Sequence, residues 1–351
     1  MNLPPKNRPS KDQRTIVFVT FETGLAPSGG LAAVMKVLPR QMARHEKCFV
    51  LAPYFRNISR PQPVLRTFPL AIRGKEYSVE IRQAAASDGS SLYLLASEGF
   101  FTAPSDPYVN PEHPDKLVED VLFFCAAVPK ALLEIARHKQ VAPDDLILHL
   151  QDWETACVAQ AVRQRPDLKA VACVLTLHNP YDRYLSPASF PLVNDLVSHL
   201  GLDFDNVLSQ MIPLMDGPLS TVSQNFADEL TSDPLHSHVF APHLQGLLAS
   251  KGVVGVDNGI FGQLTFPFSE EARALAEQGS FERIQQEKWM RREKLAEVLA
   301  AYQRQLSQDS EPGRQAWGED LDLFESWIPV FLFMGRDDPR QKGFSVAAEA
   351  I

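Results

Sequence analysis

The sequence is poor in several things that usually identify a protein quickly. Only four cysteines occur in its 351 residues, Cys48, Cys125, Cys157 and Cys173, and no two form a C-x-x-C pair. Each has apolar neighbours, so they read as buried small hydrophobes in a reducing compartment, not as a disulfide framework. No run of ~18 apolar residues exists, which argues against a helical membrane span. The opening stretch, MNLPPKNRPSKDQR, is polar and basic with no apolar core. It reads as a loose arm and not as a secretory signal. The expected location is the cytosol. Positive charge is scarce as well: 34 Lys+Arg stand against 43 Asp+Glu, a net charge of −9. A nucleic-acid partner is therefore not expected. No repeat or low-complexity tract stands out.

What is present is an ordinary globular composition, with 45% hydrophobic and 22% charged residues. At roughly 150 residues per domain, the length suggests about two domains. Thr15–Glu22 is almost continuously apolar and predicts a strand covered on both faces. The loop Thr23–Gly30 follows, then Leu31, Val34, Met35, Leu38 and Met42 recur at helical spacing. Pro39 is expected to kink or shorten that helix. Lys47–Pro53 completes a βαβ unit. Three short strands follow between about Arg66 and Ser97, either extending the sheet or forming an antiparallel insertion. Pro104–Pro114 reads as a proline-rich loop, and Asp115–Lys139 as an amphipathic helix with Pro129 inside it.

The alternation then resumes. Asp145–Leu150 and Ala170–His178 predict strands, with a helix over Thr155–Gln164 between them. Leu219–Ser223 and Gly252–Val256 are short extended runs, separated by a helix from about Gln224 to Thr231. Glu270–Gln308 reads as charged and helical, and Ser310–Asp322 as a polar loop. Ile328–Met334 predicts one more buried strand, and Gly343–Ile351 the start of a helix. The chain thus stops inside what reads as the first helix of a second α/β domain.

Four clusters carry chemistry. Ser28-Gly29-Gly30-Leu31 lies between a strand and a helix, where backbone N–H groups either meet an anion or simply form a tight turn. It is neither G-x-G-x-x-G nor a P-loop with its lysine. His149-Leu150-Gln151-Asp152-Trp153-Glu154 and Thr176-Leu177-His178-Asn179 each end a strand, where open α/β sheets bind ligands. Taken singly, His178 also reads as a satisfied loop histidine, Asp152 as a helix N-cap, and Trp153 as core packing or a sugar-stacking face. Gly335 to Gly343 places Arg336, Arg340 and Lys342 on one loop before a helix. That loop either holds a diphosphate or is simply solvated. His236, His238 and His243 lack nearby Cys or acid partners, so they read as a solvated loop and not a metal site.

Six of these features occur in one order. The chain resembles the N-terminal part of bacterial, archaeal and plant glycogen and starch synthases, from about Thr15 to its end. The family's strand ending in Glu, then Lys-x-Gly-Gly-Leu, corresponds to Glu22 and Gly29-Gly30-Leu31. Its His-Asp-Trp-His corresponds to Gln151-Asp152-Trp153-Glu154, and its Thr-Ile-His-Asn to Thr176-Leu177-His178-Asn179. Thr221-Val222-Ser223, Asn258-Gly259-Ile260-Phe261 and Gly335-Arg336…Gln341-Lys342-Gly343 complete the series.

The resemblance implies an α/β GT-B glycosyltransferase with two Rossmann-like domains. On that pattern, residues 1–14 are the arm, 15–265 the N-terminal catalytic domain and 266–325 a helical connector. Residues 326–351 begin an incomplete C-terminal domain. The implied reaction is retaining transfer of glucose from ADP-glucose or UDP-glucose to an α-1,4-glucan, with no metal and no further cofactor. By the same carry-over, His178 contacts the transferred glucose, while Arg336 and Lys342 bind the departing diphosphate. Gly29 and Gly30 offer N–H groups to the donor, and Asp152, Trp153 and Asn258 line the sugar and acceptor side. A separate C-terminal half is an expected partner.

The departures from the pattern also matter. Pro27 stands in place of the family lysine, and Lys36 lies further along the helix. Gln151 and Glu154 replace both histidines of His-Asp-Trp-His. Ala33 and Phe261 each replace an aspartate. The expectation is a synthase-like transferase that is inactive as this chain alone. The alternatives are a non-catalytic glucan-binding or regulatory module, and a GT-B transferase with another acceptor.

Overall fold

The computed structural model describes residues 14–56, 58, 61–84, 91–103, 106–108, 115–187, 191–233, 241–259 and 267–308. The chain divides into two compact units, Met1–Gly262 and Gln263–Ile351. The expected strand Ile328–Met334, the helix from Gly343 and the basic loop between them lie outside the described residues.

The first unit is built on a nine-stranded sheet. Its strands are β1 Thr15–Val19, β2 Lys47–Pro53, β3 Val64–Ile72, β4 Lys75–Ala84, β5 Ser91–Ser97, β6 Leu146–Gln151, β7 Ala172–Leu177, β8 Leu219–Thr221 and β9 Val253–Gly255. They lie in the order β3-β4-β5-β2-β1-β6-β7-β8-β9. From β5 through β9 every neighbouring pair is parallel. β3 and β4 join antiparallel at one edge. The three strands left open by the sequence thus do both things: they extend the sheet, and one of them, β4, runs antiparallel to both of its neighbours.

Alternation along the central strands sends side chains to two different cores. Val17, Val19, Phe49, Leu51, Leu148 and Leu150 face the larger one. Phe18, Cys48 and Val50 face the smaller one, where helix α1 (Gly30–Met42) packs Leu31, Val34 and Met35. Pro39 does not shorten α1 as expected; the helix runs through it to Met42. Helix α2, Lys116–Lys139, likewise runs through Pro129 and is buried along most of its length. It anchors the larger core, where Phe123 stacks on Phe100 at 3.5 Å. The predicted helix after β6 is broken into α3 Trp153–Ala156 and α4 Val158–Arg163. Two further helices, α5 Pro191–His199 and α6 Val207–Met211, fill the stretch between β7 and β8. α7 Gln224–Ser232 and α8 Gln245–Lys251 lie between β8 and β9. All four cysteines are buried and none is in a disulfide. No helix among the described residues is long and apolar enough to cross a membrane.

In the second unit the predicted helix over Glu270–Gln308 is two helices, α9 Glu270–Glu277 and α10 Glu282–Gln308. Gly279 stands between them with φ +85°, a conformation that ends a helix. Ser269 caps α9 by accepting from the Ala272 N–H at 3.1 Å. Glu287 of α10 accepts from the Ser269 N–H at 2.9 Å and ties the two helices together.

One close approach fixes the β8–β9 end of the sheet. A Cβ placed on Gly255 would stand 2.2 Å from the Gln224 Cα. The backbones of β9 and of the α7 N-terminus therefore cross where only glycine fits. Gly255→Ala is expected to destabilise the chain by about 2–3 kcal/mol or more, because backbone cannot yield as a side chain can. A urea midpoint unchanged from the parent would refute this.

Candidate functional site

The sheet order defines where a site belongs. From β1 the chain steps to β2 on one side, and from β6 to β7, β8 and β9 on the other. The loops after β1 and β6 therefore diverge and leave a crevice at the carboxyl ends of the strands. Most of the sequence-predicted residues converge there.

β1 ends at Val19, three residues short of the predicted Glu22, because Thr20 turns its hydroxyl back to the Glu22 carbonyl at 2.9 Å. This carries the Glu22 side chain, 3% exposed, beneath the glycine loop. Its Oε2 accepts from the Ser28 and Gly29 N–H groups at 2.9 and 2.7 Å. The Gly29 N–H, assigned above to a donor, therefore has an internal partner. Gly30 opens α1, where first-turn N–H groups have no acceptor within the helix. Pro27 offers no cation, but Lys36 folds back: its Cγ lies 3.4 Å from where a Gly24 Cβ would sit.

Two residues absent from the sequence reading complete this side. The Tyr108 hydroxyl donates to Glu22 Oε1 at 2.7 Å. Asp106 Oδ1 accepts from the Tyr108 N–H at 2.9 Å and from the Ser28 hydroxyl at 2.8 Å. Burial, then the charges of Glu154 and Glu22, push the Tyr108 phenol well above its ordinary range. It stays a neutral donor. Only its place beside an aspartate in a proline-rich loop marked it in the sequence.

Asp152 is the hinge of the other side. It adopts φ +57° and ψ −177°, a region almost restricted to glycine. Such a conformation costs about 1–3 kcal/mol and persists only where surrounding contacts enforce it. Those contacts are visible. Its N–H donates to the Thr176 carbonyl at 2.9 Å. Its Oδ1 accepts from the N–H groups of His178 and Asn179 at 2.6 and 3.3 Å. Asp152 precedes α3 but does not cap it through its side chain; the carboxylate spans to the next strand end instead.

His178 is half-buried and bonded, as a satisfied loop histidine would be. The Gln151 amide nitrogen donates to the His149 carbonyl at 3.3 Å, which aims its oxygen at His178 Nε2, 2.8 Å away. An amide oxygen only accepts, so Nε2 carries the proton. Nδ1 of the neutral ring is then left as an acceptor for a ligand hydroxyl. Burial, with a smaller effect of His149, pushes His178 down to about 4; burial also pushes His149 to about 4. His149 bonds Thr176 Oγ1 at 2.6 Å, and Thr176 bonds Ser220 Oγ at 2.6 Å, a polar row across β6, β7 and β8.

The remaining candidates lie apart. Trp153 is 6% exposed and belongs to the larger core, so it packs and presents no open ring face. Asn258 is exposed just past edge strand β9, its N–H donating to the Val222 carbonyl at 3.1 Å. Arg336, Lys342 and Phe261 lie outside the described residues, as do His236 and His238. His243, expected to have no acid partner, instead bonds Asp182 at 2.8 Å, because the fold brings the two loops together across sixty-one positions. No group of three or more metal-ligating side chains occurs among the described residues.

The starch synthase catalytic domain family matches residues 15–250. The chain belongs to that family. Glycogen synthase of Vibrio cholerae is 28% identical over 243 residues, 65% of this chain and 48% of that protein. Glycogen synthase of Rhizobium rhizogenes is 26% identical over 262 residues, 69% of this chain and 52% of that protein. The chain thus spans about half the length of these curated relatives. Among solved structures, the catalytic domain of starch synthase IV from Arabidopsis thaliana, bound to ADP and acarbose, aligns at TM-score 0.55. It is 19% identical, with 74% of this chain and 55% of that chain covered, and the likeness shows the fold.

Two outcomes follow for the family's Asp and His in this chain. Asp152→Ala leaves two N–H groups without their acceptor, so the His178 and Asn179 amides should exchange at least about tenfold faster. Unchanged protection would remove Asp152 from its role as a tie. The His149 and His178 rings should both titrate near pH 4, with no step in the range about 6–7. Because these pKa values are depressed, the unfolded chain takes up protons first. Both histidines therefore cost stability as pH falls from about 6.5 toward 4. A histidine titrating above about pH 6 at either position would contradict the depression of both rings by burial.

Proposed function

We propose that this chain supplies the acceptor-side lobe of a glycogen or starch synthase-type retaining glucosyltransferase, moving glucose from ADP-glucose or UDP-glucose to an α-1,4-glucan. The observation that carries the reading is the Asp152 tie. A strained aspartate joins the ends of β6 and β7 and sets a neutral His178 beside it at the switch point of the sheet. Strain held in place by several bonds is characteristic of a working site. In this reading Nδ1 of His178 accepts a hydroxyl of the transferred glucose. Arg336 and Lys342 hold the departing diphosphate, so that no metal is needed. The donor's nucleotide side is assigned to the part of the longer relatives that this chain does not match.

The second reading, a glucan-binding module without transfer, draws on one observation. Glu22 occupies the glycine-loop N–H groups, and Pro27 removes the loop cation.

The test is a pair of measurements on the chain and on the native protein from its own cells. Maltoheptaose should bind the chain with measurable affinity. In the native protein, glucose transfer from ADP-glucose or UDP-glucose to glycogen should fall at least 100-fold in His178→Ala. Transfer retained in that variant would sink the role given to His178. Binding without any transfer by the native protein would favour the second reading.

A further inference from the structure

Glu154 is the acid at this site with the least hydrogen-bond support. It is 6% exposed, and its Oε2 has no hydrogen-bond partner. Asp152 and Glu22 are its charged neighbours, and both are acids. Helix α3, which carries Glu154, packs on α2, α6, β6 and α4; β6 brings His149, which bonds Thr176, and α4 brings Arg163, which pairs with Asp216. From α2 comes only Cys125, whose thiol donates to the Glu154 carbonyl at 3.4 Å; α6 (Val207–Met211) offers no titratable group. The Tyr108 phenol faces the cluster from its loop, and the Trp153 indole bonds Glu154. No Lys or Arg makes an ion pair with Glu22, Asp152 or Glu154 among the described residues.

Three buried acids with no cation cannot all ionise, since each added charge is desolvated and repelled by its neighbours. The hydrogen bonds decide which one stays neutral. Glu22 accepts from two N–H groups and a phenol, and Asp152 from two N–H groups. Those bonds favour the ionised forms. Glu154 has the weakest support.

We propose that Glu154 is a positioning residue that keeps its proton at neutral pH and so allows Asp152 to hold the His178–Asn179 turn as a carboxylate. The electrostatic balance agrees: burial, then Asp152 and Glu22, push Glu154 well above its ordinary range. Asp152 is pushed by burial only to about 7, because its two backbone bonds pull it back. When Glu154 ionises at alkaline pH, the repulsion falls on Asp152 and loosens the turn. Where ligand affinity is concerned, the proposal rests on the glucan reading above; the proton itself does not.

The decisive experiment is an NMR pH titration of the full chain, read at the His178 and Asn179 amides, which report Asp152. Glu154→Gln keeps the shape and is permanently neutral. The Asp152 midpoint should then stay within about 0.3 unit, and a second, alkaline step present in the parent should vanish. A drop in the Asp152 midpoint by about one unit or more would mean that Glu154 is charged at neutral pH, and would overturn the proposal. If Glu154→Gln does not fold, the Glu154 carboxyl ¹³C titration of the parent decides the matter. A midpoint above about pH 7 supports retention of the proton, and one below it refutes it. The parent's maltoheptaose affinity should fall about tenfold through the alkaline step, and that of Glu154→Gln should not. No maltoheptaose binding at any pH would count against the glucan reading, while the amide titration would still judge the proton.

Discussion

One carboxylate holds the site together. Asp152 reaches from the end of β6 to two N–H groups beyond the end of β7, and its own N–H continues the β6–β7 ladder to Thr176. Parallel neighbours in a sheet normally diverge into separate loops. Here a single side chain makes two loops one structure, at the strain of a backbone conformation that suits glycine. His178 is placed by that tie, and Gln151 then fixes its ring. Everything chemically useful on this side follows from the tie.

The electrostatics around it run against the ordinary rule that buried charges are paired. Asp152, Glu22 and Glu154 are each under 7% exposed and form no ion pair with a cation among the described residues. Backbone N–H groups take that place. The glycine loop, which in an α/β sheet commonly meets a phosphate, instead meets the Glu22 carboxylate. A phosphate there would displace an internal acid, or bind only at the Gly30 side of the turn. Neutral hydroxyls face no such obstacle, and the neutral rings of His149 and His178 suit them.

Much of this was legible in the sequence. The βαβ opening and the strands ending at Gln151 and Leu177 follow from apolar runs bounded by polar residues, and the parallel sheet follows from their alternation with helices. The helix boundaries were less legible. Proline at position 129 does not end a helix that is buried on both sides of it, because packing outweighs one lost hydrogen bond, and α1 runs three residues past Pro39. Conversely, the helix predicted after β6 broke at Cys157, which periodicity does not record. α5 and α6 went unseen because they are short and take their stability from packing. At the site, Asp152 and His178 were visible as polar residues ending apolar strands. Tyr108 and Asp106 were not, since only the folded loop brings residues some eighty positions away to Glu22 and Ser28.

The two changes in the His-Asp-Trp-His pattern look like losses when read along the sequence. In space both bear on the residue they flank. Gln151 replaces a titratable ring with an amide whose nitrogen is held by the His149 carbonyl, so its oxygen can only orient His178. Glu154 replaces another ring with an acid that sits beside Asp152 and has no cation of its own. A basic residue at either position would supply charge to compensate Asp152. With neither present, Asp152 depends on backbone N–H groups and on the protonation of its neighbour. The site has thereby exchanged cationic support for hydrogen-bonded support. That makes its geometry sensitive to pH from the alkaline side through the acids, and from the acidic side through the histidines.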